Sequence, residues 1–356
     1  MKMIKAIMEK MYRLIGKNRY LNKLKPVLNA ADEALFGTDK VNASPHIADY
    51  LDVKRFMFMV VAALIPAVIA AVYFWGLRVL AVIAVSYIFG GLVEVCFAIV
   101  RKKEIHEGFL VTGIIFPLIL PPGVPLWMVA VGVVFGVLFG KEVFGGTGKN
   151  IFNPAIVGRI FLSIAFPKIM AVNWQAPFSG GWGGLAHYQN TIDAVVSATP
   201  LALFKNQGIV TPWLNMLFGA NAGCIGETFR IGLIAGGLFL ILIRIVDWRI
   251  PLAYLITAPL FAFIANSFFH THLASPSLQL LSGGLLLGAF FMATDPVTSP
   301  FTKPGKWVAG VLLGSLTALI RGFSGYVEGV MFSILIINVF TPLIDSVVLK
   351  LRYKTK

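Results

Sequence analysis

Long stretches of this chain carry no charge at all, and that restricts its fold more than any other feature. Residues 56–74 form a window of 19 without Asp, Glu, Lys or Arg, and residues 250–269 a window of 20. A helix crossing a bilayer needs about 20 apolar residues, because each adds only about 1.5 Å along the axis. The core helix of a soluble protein explains one such window, not eight or more. Charged residues make up 13% of the chain, against roughly 25% in soluble domains. The chain is therefore expected to be an all-α membrane protein.

Apolar segments bounded by breakers run over 56–74, 79–100, 109–120, 124–140, 151–171, 231–246, 250–269, 278–294, 307–320 and 326–344, about ten transmembrane helices. With the N-terminus in the cytoplasm, alternation places 24 of the 30 Lys and Arg on the inner face. Five fall outside (Arg78, Lys168, Lys205, Arg230 and Arg321), and Arg159 lies within a span. Positive-inside bias fixes this orientation, with both termini cytoplasmic. The formal charge of +14 is thereby explained by loops on one face, so nucleic acid is not an expected partner. The basic stretch 1–25 has no apolar run of signal-peptide type and suits anionic membrane lipid. Four regions follow: a basic N-terminal segment 1–55, a first five-helix half 56–171, an outer-face loop 172–230, and a second half with the C-terminus, 231–356.

Two segments are too short or too broken for simple spans. Residues 109–120 end in Pro121-Pro122-Gly123, and 278–294 contain Gly283-Gly284 and Gly288 before Asp295-Pro296. They are the third segments of the two halves. Five-span halves have opposite orientation, so the pattern is that of two inverted five-helix repeats with broken third helices. Such breaks border central sites, where freed backbone groups need polar partners.

Three motifs carry chemistry. The first is Lys141-Glu142-Val143-Phe144-Gly145-Gly146-Thr147-Gly148-Lys149-Asn150, followed by Asn153-Pro154-Ala155 and Arg159. It lacks the Lys-Ser or Lys-Thr ending of a phosphate loop, and on residues alone a tight turn between helices explains it equally well. The second is Asp193-Ala194-Val195-Val196-Ser197-Ala198-Thr199-Pro200-Leu201; on residues alone, Thr199-Pro200 reads as a capped helix start. The third is Gly288-Ala289-Phe290-Phe291-Met292-Ala293-Thr294-Asp295-Pro296-Val297. Together and in this order they resemble the NqrB subunit of the sodium-pumping NADH:quinone oxidoreductase and its paralogue, the RnfD subunit of the Rnf complex. The resemblance covers residues 44 to 349 and implies a fold similar to that of urea channels.

The resemblance implies several roles. In that family the threonine of the second motif carries FMN through a phosphoester installed by a flavin transferase. Thr199 matches it, with Asp193 six positions earlier and Ser197 in the recognition run; Ala194 and Ser197 stand where glycine is usual. Gly145 and Gly146 match a segment bordering the quinone site. Asn150 and Asn153, at a helix start, are candidates to donate to a flavin or quinone oxygen, and a second, noncovalent riboflavin is implied. Asp295 and Asp345 match acids implicated in sodium uptake from the cytoplasm. Glu94 and Glu328, two further acids at membrane depth, are candidates to pair with an arginine of a neighbouring subunit. No catalytic residue and no metal site is expected. Cys96 and Cys224 read as small apolar residues, and His46, His106, His187, His270 and His272 as surface positions.

The implied function is a flavin-carrying subunit of a six-subunit, redox-driven sodium or proton pump in the bacterial inner membrane. It would pass electrons between flavins, from NADH towards quinone, and would not oxidise NADH alone, since no dinucleotide-binding unit is present. An Rnf-type ferredoxin:NAD oxidoreductase subunit is the alternative within the family. A non-redox channel or secondary transporter is the alternative outside it.

Overall fold

The computed structural model describes residues 53–102, 108–178, 198–219, 221–269 and 273–353. Among these, all regular structure is helical. Six helices are long and apolar enough to cross a membrane, so the chain is a multi-pass membrane protein. They are α1 (Val53–Trp75), α2 (Arg78–Arg101), α4 (Leu126–Gly140) with the 3-10 turn that extends its span to Phe144, α10 (Arg249–Phe269), α13 (Lys303–Phe323) and α14 (Val330–Arg352). Three shorter apolar helices, α3 (Gly108–Leu118), α5 (Pro154–Ala165) and α9 (Arg230–Leu242), accompany them.

The span expected over 151–171 is divided. Pro167 cannot continue the backbone ladder of α5, so Phe166 ends it and a short α6 (Pro167–Val172) follows. The break expected in the third segment of the second half lies between α11 (Pro276–Leu281) and α12 (Leu285–Leu287). Ser282 is extended there, and Gly283 and Gly284 take left-handed φ values of 65° and 70°, which a side chain would strain. Beyond α12 the helix widens into a π-turn, Gly288–Met292.

Helix pairing follows one pattern twice. In the first half α2 packs on α3 and α4, and α4 on α5; in the second α10 packs on α11 and α13, and α13 on α14. The first helices of the two halves, α1 and α9, pack together, as do the fifth, α5 and α14. Small residues permit the closest crossings. A Cβ on Gly136 of α4 would lie 2.4 Å from the Pro154 carbonyl oxygen, and one on Gly158 of α5 would lie 2.5 Å from the Gly132 carbonyl oxygen. In lipid, where apolar burial gives helices no preference for one another, such backbone approach is a main source of association.

The connection before α9 is built rather than open. It contains α7 (Pro200–Gln207) and α8 (Trp213–Phe218), then residues 222–228, every one buried. The last stretch is wedged between the two broken helices. Ile225 N donates to the Leu120 carbonyl at 3.0 Å beyond α3. A Cβ on Gly284, at the start of α12, would meet Glu227 Oε1 at 2.6 Å. Trp75 Nε1 donates to Thr228 Oγ1 at 3.0 Å and ties the wedge to α1.

Candidate functional site

At one end of the bundle, segments distant in sequence converge on a cavity of about 70 Å³. Its polar walls are Lys141 and Thr147 after α4, Asn150 and Asn153 before α5, Thr112 of α3, and Thr294 and Asp295 after the π-turn. Phe56 and Met57 of α1 and Phe290 and Phe291 supply an apolar side. The structure thus brings Asn150, Asn153 and Asp295 together.

Each is held by its own backbone. Asn153 caps α5: its Oδ1 accepts from Ala155 N at 3.0 Å, with Pro154 at the first helical position. With the oxygen committed, its amide N–H groups are the half left for a ligand. Asn150 Nδ2 donates to the Phe152 carbonyl at 3.0 Å. Asp295 Oδ1 accepts from Val297 N at 3.1 Å in the Asp-Pro turn.

Lys141, whose importance as a charge is not evident from its motif, forms a buried ion pair with Glu94 at 2.5 Å. Glu94 therefore finds its partner within the chain. So does Glu328, whose carboxylate lies 3.6 Å from Arg159. The expectation that these two acids wait for an arginine of another subunit is corrected on both counts.

Gly145 and Gly146 form the turn beside the cavity rather than its wall. Their φ values of 120° and 96° let the chain reverse, and Gly146 N donates to the Lys141 carbonyl at 3.2 Å. Arg101 fixes the turn through the Glu142 carboxylate at 2.9 Å and the Glu142 carbonyl at 2.6 Å. Asp345 lies elsewhere. Its carboxylate accepts from Phe301 N at 2.8 Å, Thr302 N at 3.0 Å and Thr302 Oγ1 at 2.5 Å, closing the start of α13. It does not meet Asp295 at a shared site.

Towards the opposite end stands Thr199. It caps α7, with Oγ1 accepting from Ala202 N at 3.3 Å and Pro200 at the first helical position, and it is only 8% exposed. Leu201 packs where a Cβ on Gly283 would be. Lys205 Nζ donates to the carbonyls of Arg321, Ser324 and Tyr326 at the end of α13. Asp193, Ser197 and all five histidines lie outside the described residues.

Beside α7 is a charge network that the sequence reading missed. Arg321 Nη1 donates to Gln279 Oε1 at 2.8 Å and Nη2 to the Ser282 carbonyl at 2.7 Å, so it closes the end of α11. Glu227 and Arg230 are buried nearby, and Cys224 Sγ lies with the Glu227 and Glu328 carboxylates within 4.8 Å of one another. The signal available was the run Gly223-Cys224-Ile225-Gly226-Glu227, an acid among glycines in what reads as a loop.

Comparison with known proteins places these features. The model of the NQR2, RnfD, RnfE family matches residues 40–354. The NqrB subunit of the Na(+)-translocating NADH-quinone reductase of Pseudoalteromonas atlantica is 35% identical, covering 96% of this chain and 99% of that protein. The corresponding reductase subunit of Ectopseudomonas mendocina is 41% identical over 78% of this chain and 68% of its own length. The RnfD subunit of the ion-translocating oxidoreductase complex of Mannheimia succiniciproducens is 38% identical, over 86% of this chain and 95% of its own.

Proposed function

Because the chain belongs to the NQR2, RnfD, RnfE family, it is a membrane subunit of a redox-driven, ion-translocating oxidoreductase, and we propose that it carries two flavins towards opposite faces of the membrane. The observation that carries this reading is the convergence of Asn150, Asn153, Lys141 and Asp295 on one cavity. Amide donors beside two phenylalanines suit the carbonyl edge and flat face of an isoalloxazine ring, as in noncovalent riboflavin, with the Lys141 ammonium close by on Glu94. The enclosed volume of about 70 Å³ holds only part of such a ring, so Phe290 and Phe291 yield when it enters.

Thr199 is the proposed anchor of a covalent FMN. A phosphoester on its oxygen would place negative charge at the start of α7, where backbone N–H groups lack helical partners and the helix dipole favours an anion. Since Thr199 is nearly buried, the transferase would act on it before α7 docks on α13, or after this contact opens. Asp193 and Ser197 would belong to the sequence that enzyme recognises. When bound, the flavins supply the electron chemistry; this chain's residues hold, orient and tune them.

Ten spans in two inverted five-helix repeats, a urea-channel-like arrangement, are supported by the repeated helix pairings. Lysine and arginine asymmetry supports an inner membrane with both termini in the cytoplasm and Thr199 on the outer side. The Gly145–Gly146 turn would border a quinone headgroup, and Asp295 would meet the coupling cation. The quinone-linked branch is favoured over Rnf because the Pseudoalteromonas relative covers 96% of the chain and the Mannheimia relative 86%.

Intact mass spectrometry of the chain coexpressed with a flavin transferase tests the anchor. An FMN-sized increment is expected, absent from Thr199→Ala. Unmodified wild type sinks the covalent anchor at Thr199.

A further inference from the structure

Lys141 joins a buried ion pair to the wall of the cavity. Its ammonium sits on Glu94 at 2.5 Å, with side chains only 3% and 5% exposed. The same lysine lines the cavity that gathers Asn150, Asn153 and Asp295. Glu94 itself lines a narrow crevice among α2, α3 and α4, together with Ser86. We propose that Lys141 is the charge-compensating residue for the redox-active ring of that cavity, and that Glu94 holds its ammonium back while the ring is oxidised. The proposal rests on the reading that a noncovalent flavin binds there.

Lys141 is the only lysine or arginine on the described wall of the cavity, whose other ionisable residue is the acid Asp295. An electron arriving from a reduced flavin elsewhere in the complex adds one negative charge to the ring. No bond forms or breaks in the protein, and the ammonium keeps its proton. Beside a lysine and glutamate so little exposed, salt and bulk water screen that charge far less than at the surface. The flexible four-carbon stem lets the ammonium move towards it, and the Glu94 pair loosens by the same movement. Glu94 opposes reduction twice, by its own charge and by retaining the lysine. A merely structural ion pair would leave the ring's electron affinity unchanged when replaced by a neutral pair.

The test is a redox titration, followed by visible absorbance, of the assembled complex carrying Lys141→Gln with Glu94→Gln, or Glu94→Gln alone. The double variant removes both buried charges together, so neither is left unpaired. At a fixed ambient potential, the reduced-to-oxidised ratio of the flavin released on denaturation is expected to fall at least tenfold in the double variant. It should rise in Glu94→Gln, while the Thr199-linked flavin stays unmoved in both. An unchanged ratio in both variants overturns the role of Lys141. So does a double variant that assembles without retaining the flavin, since Lys141 would then be a binding contact. A wild-type complex with no releasable flavin overturns the reading beneath the proposal instead.

Discussion

Asp295 and Asp345 read alike in the sequence, as acids at the ends of spans, yet they are held by different work. Asp345 receives two backbone N–H groups and a hydroxyl at the start of α13. Asp345→Ala should therefore destabilise the fold by about 1–3 kcal/mol, the usual cost of losing hydrogen bonds to a charged acceptor, measured as thermal unfolding in detergent. Asp295→Asn should leave the unfolding temperature within a degree or two and alter noncovalent flavin content or ion turnover. Sequence alone could not separate them, because the partners of Asp345 lie more than 40 positions away. Thr199 shows the converse: its local Thr-Pro signature was legible and the cap is present, while the docking of α7 through Leu201 and Lys205 depends on the distant Gly283 and the end of α13. Asp247 adds a pH effect. Burial alone would raise its carboxyl, but the Arg249 N–H, Lys306 and the Arg249 charge outweigh this and hold it below the usual carboxylate range. A depressed folded value stabilises the protein fully above the unfolded value and loses the effect as pH falls through the folded one. Asp247→Asn should thus melt lower than wild type by the same margin at pH 6 and pH 8, the gap closing only below about pH 4.

Among the elements, the crossing of α4 and α5 decides where the cavity's amides stand. Asn153 is the cap of α5 and Asn150 precedes it, so any displacement of α5 moves both. A Cβ on Gly136 at that crossing would lie 2.4 Å from the Pro154 carbonyl oxygen, whereas one on Gly91 of α2 would meet nothing within 4 Å. Gly136→Ala should cost about 1–3 kcal/mol through overpacking and lower the noncovalent flavin content. Gly91→Ala should be neutral or stabilise by about 0.5–1 kcal/mol through helix propensity. Thermal unfolding with flavin release distinguishes the two; equal behaviour would show that the crossing does not control the cavity. Segment positions were largely legible, since apolar windows and breakers report them directly. What they could not report was that Pro167 divides the fifth segment, or that 222–228 turns back between the broken helices. An outer loop and a buried wedge have similar composition when both are rich in glycine, and only the partners differ.

For the whole molecule, the question is what holds two similar halves in register. Apolar contact alone does so weakly in lipid, where a helix face gains little by leaving the acyl chains. Arg159, on the fifth helix of the first half, lies 3.6 Å from Glu328 at the entry to the fifth helix of the second. Arg159 also stands over the Trp174 ring at 5.9 Å. Its side chain is 4% exposed and that of Glu328 16%, so loss of either partner leaves a charge largely out of water. The net worth of such a pair against an apolar replacement is small, but breaking it from one side is expensive. Arg159→Met and Glu328→Gln should each destabilise by roughly 2–4 kcal/mol. The double variant should lose clearly less than the sum, a coupling of at least about 1 kcal/mol. Additive losses in a double-mutant cycle of thermal unfolding would mean that the halves are joined elsewhere, leaving the α1–α9 contact as the seam. Coupling would identify α5 and α14 as the hinge line across which any movement of one repeat against the other must pass.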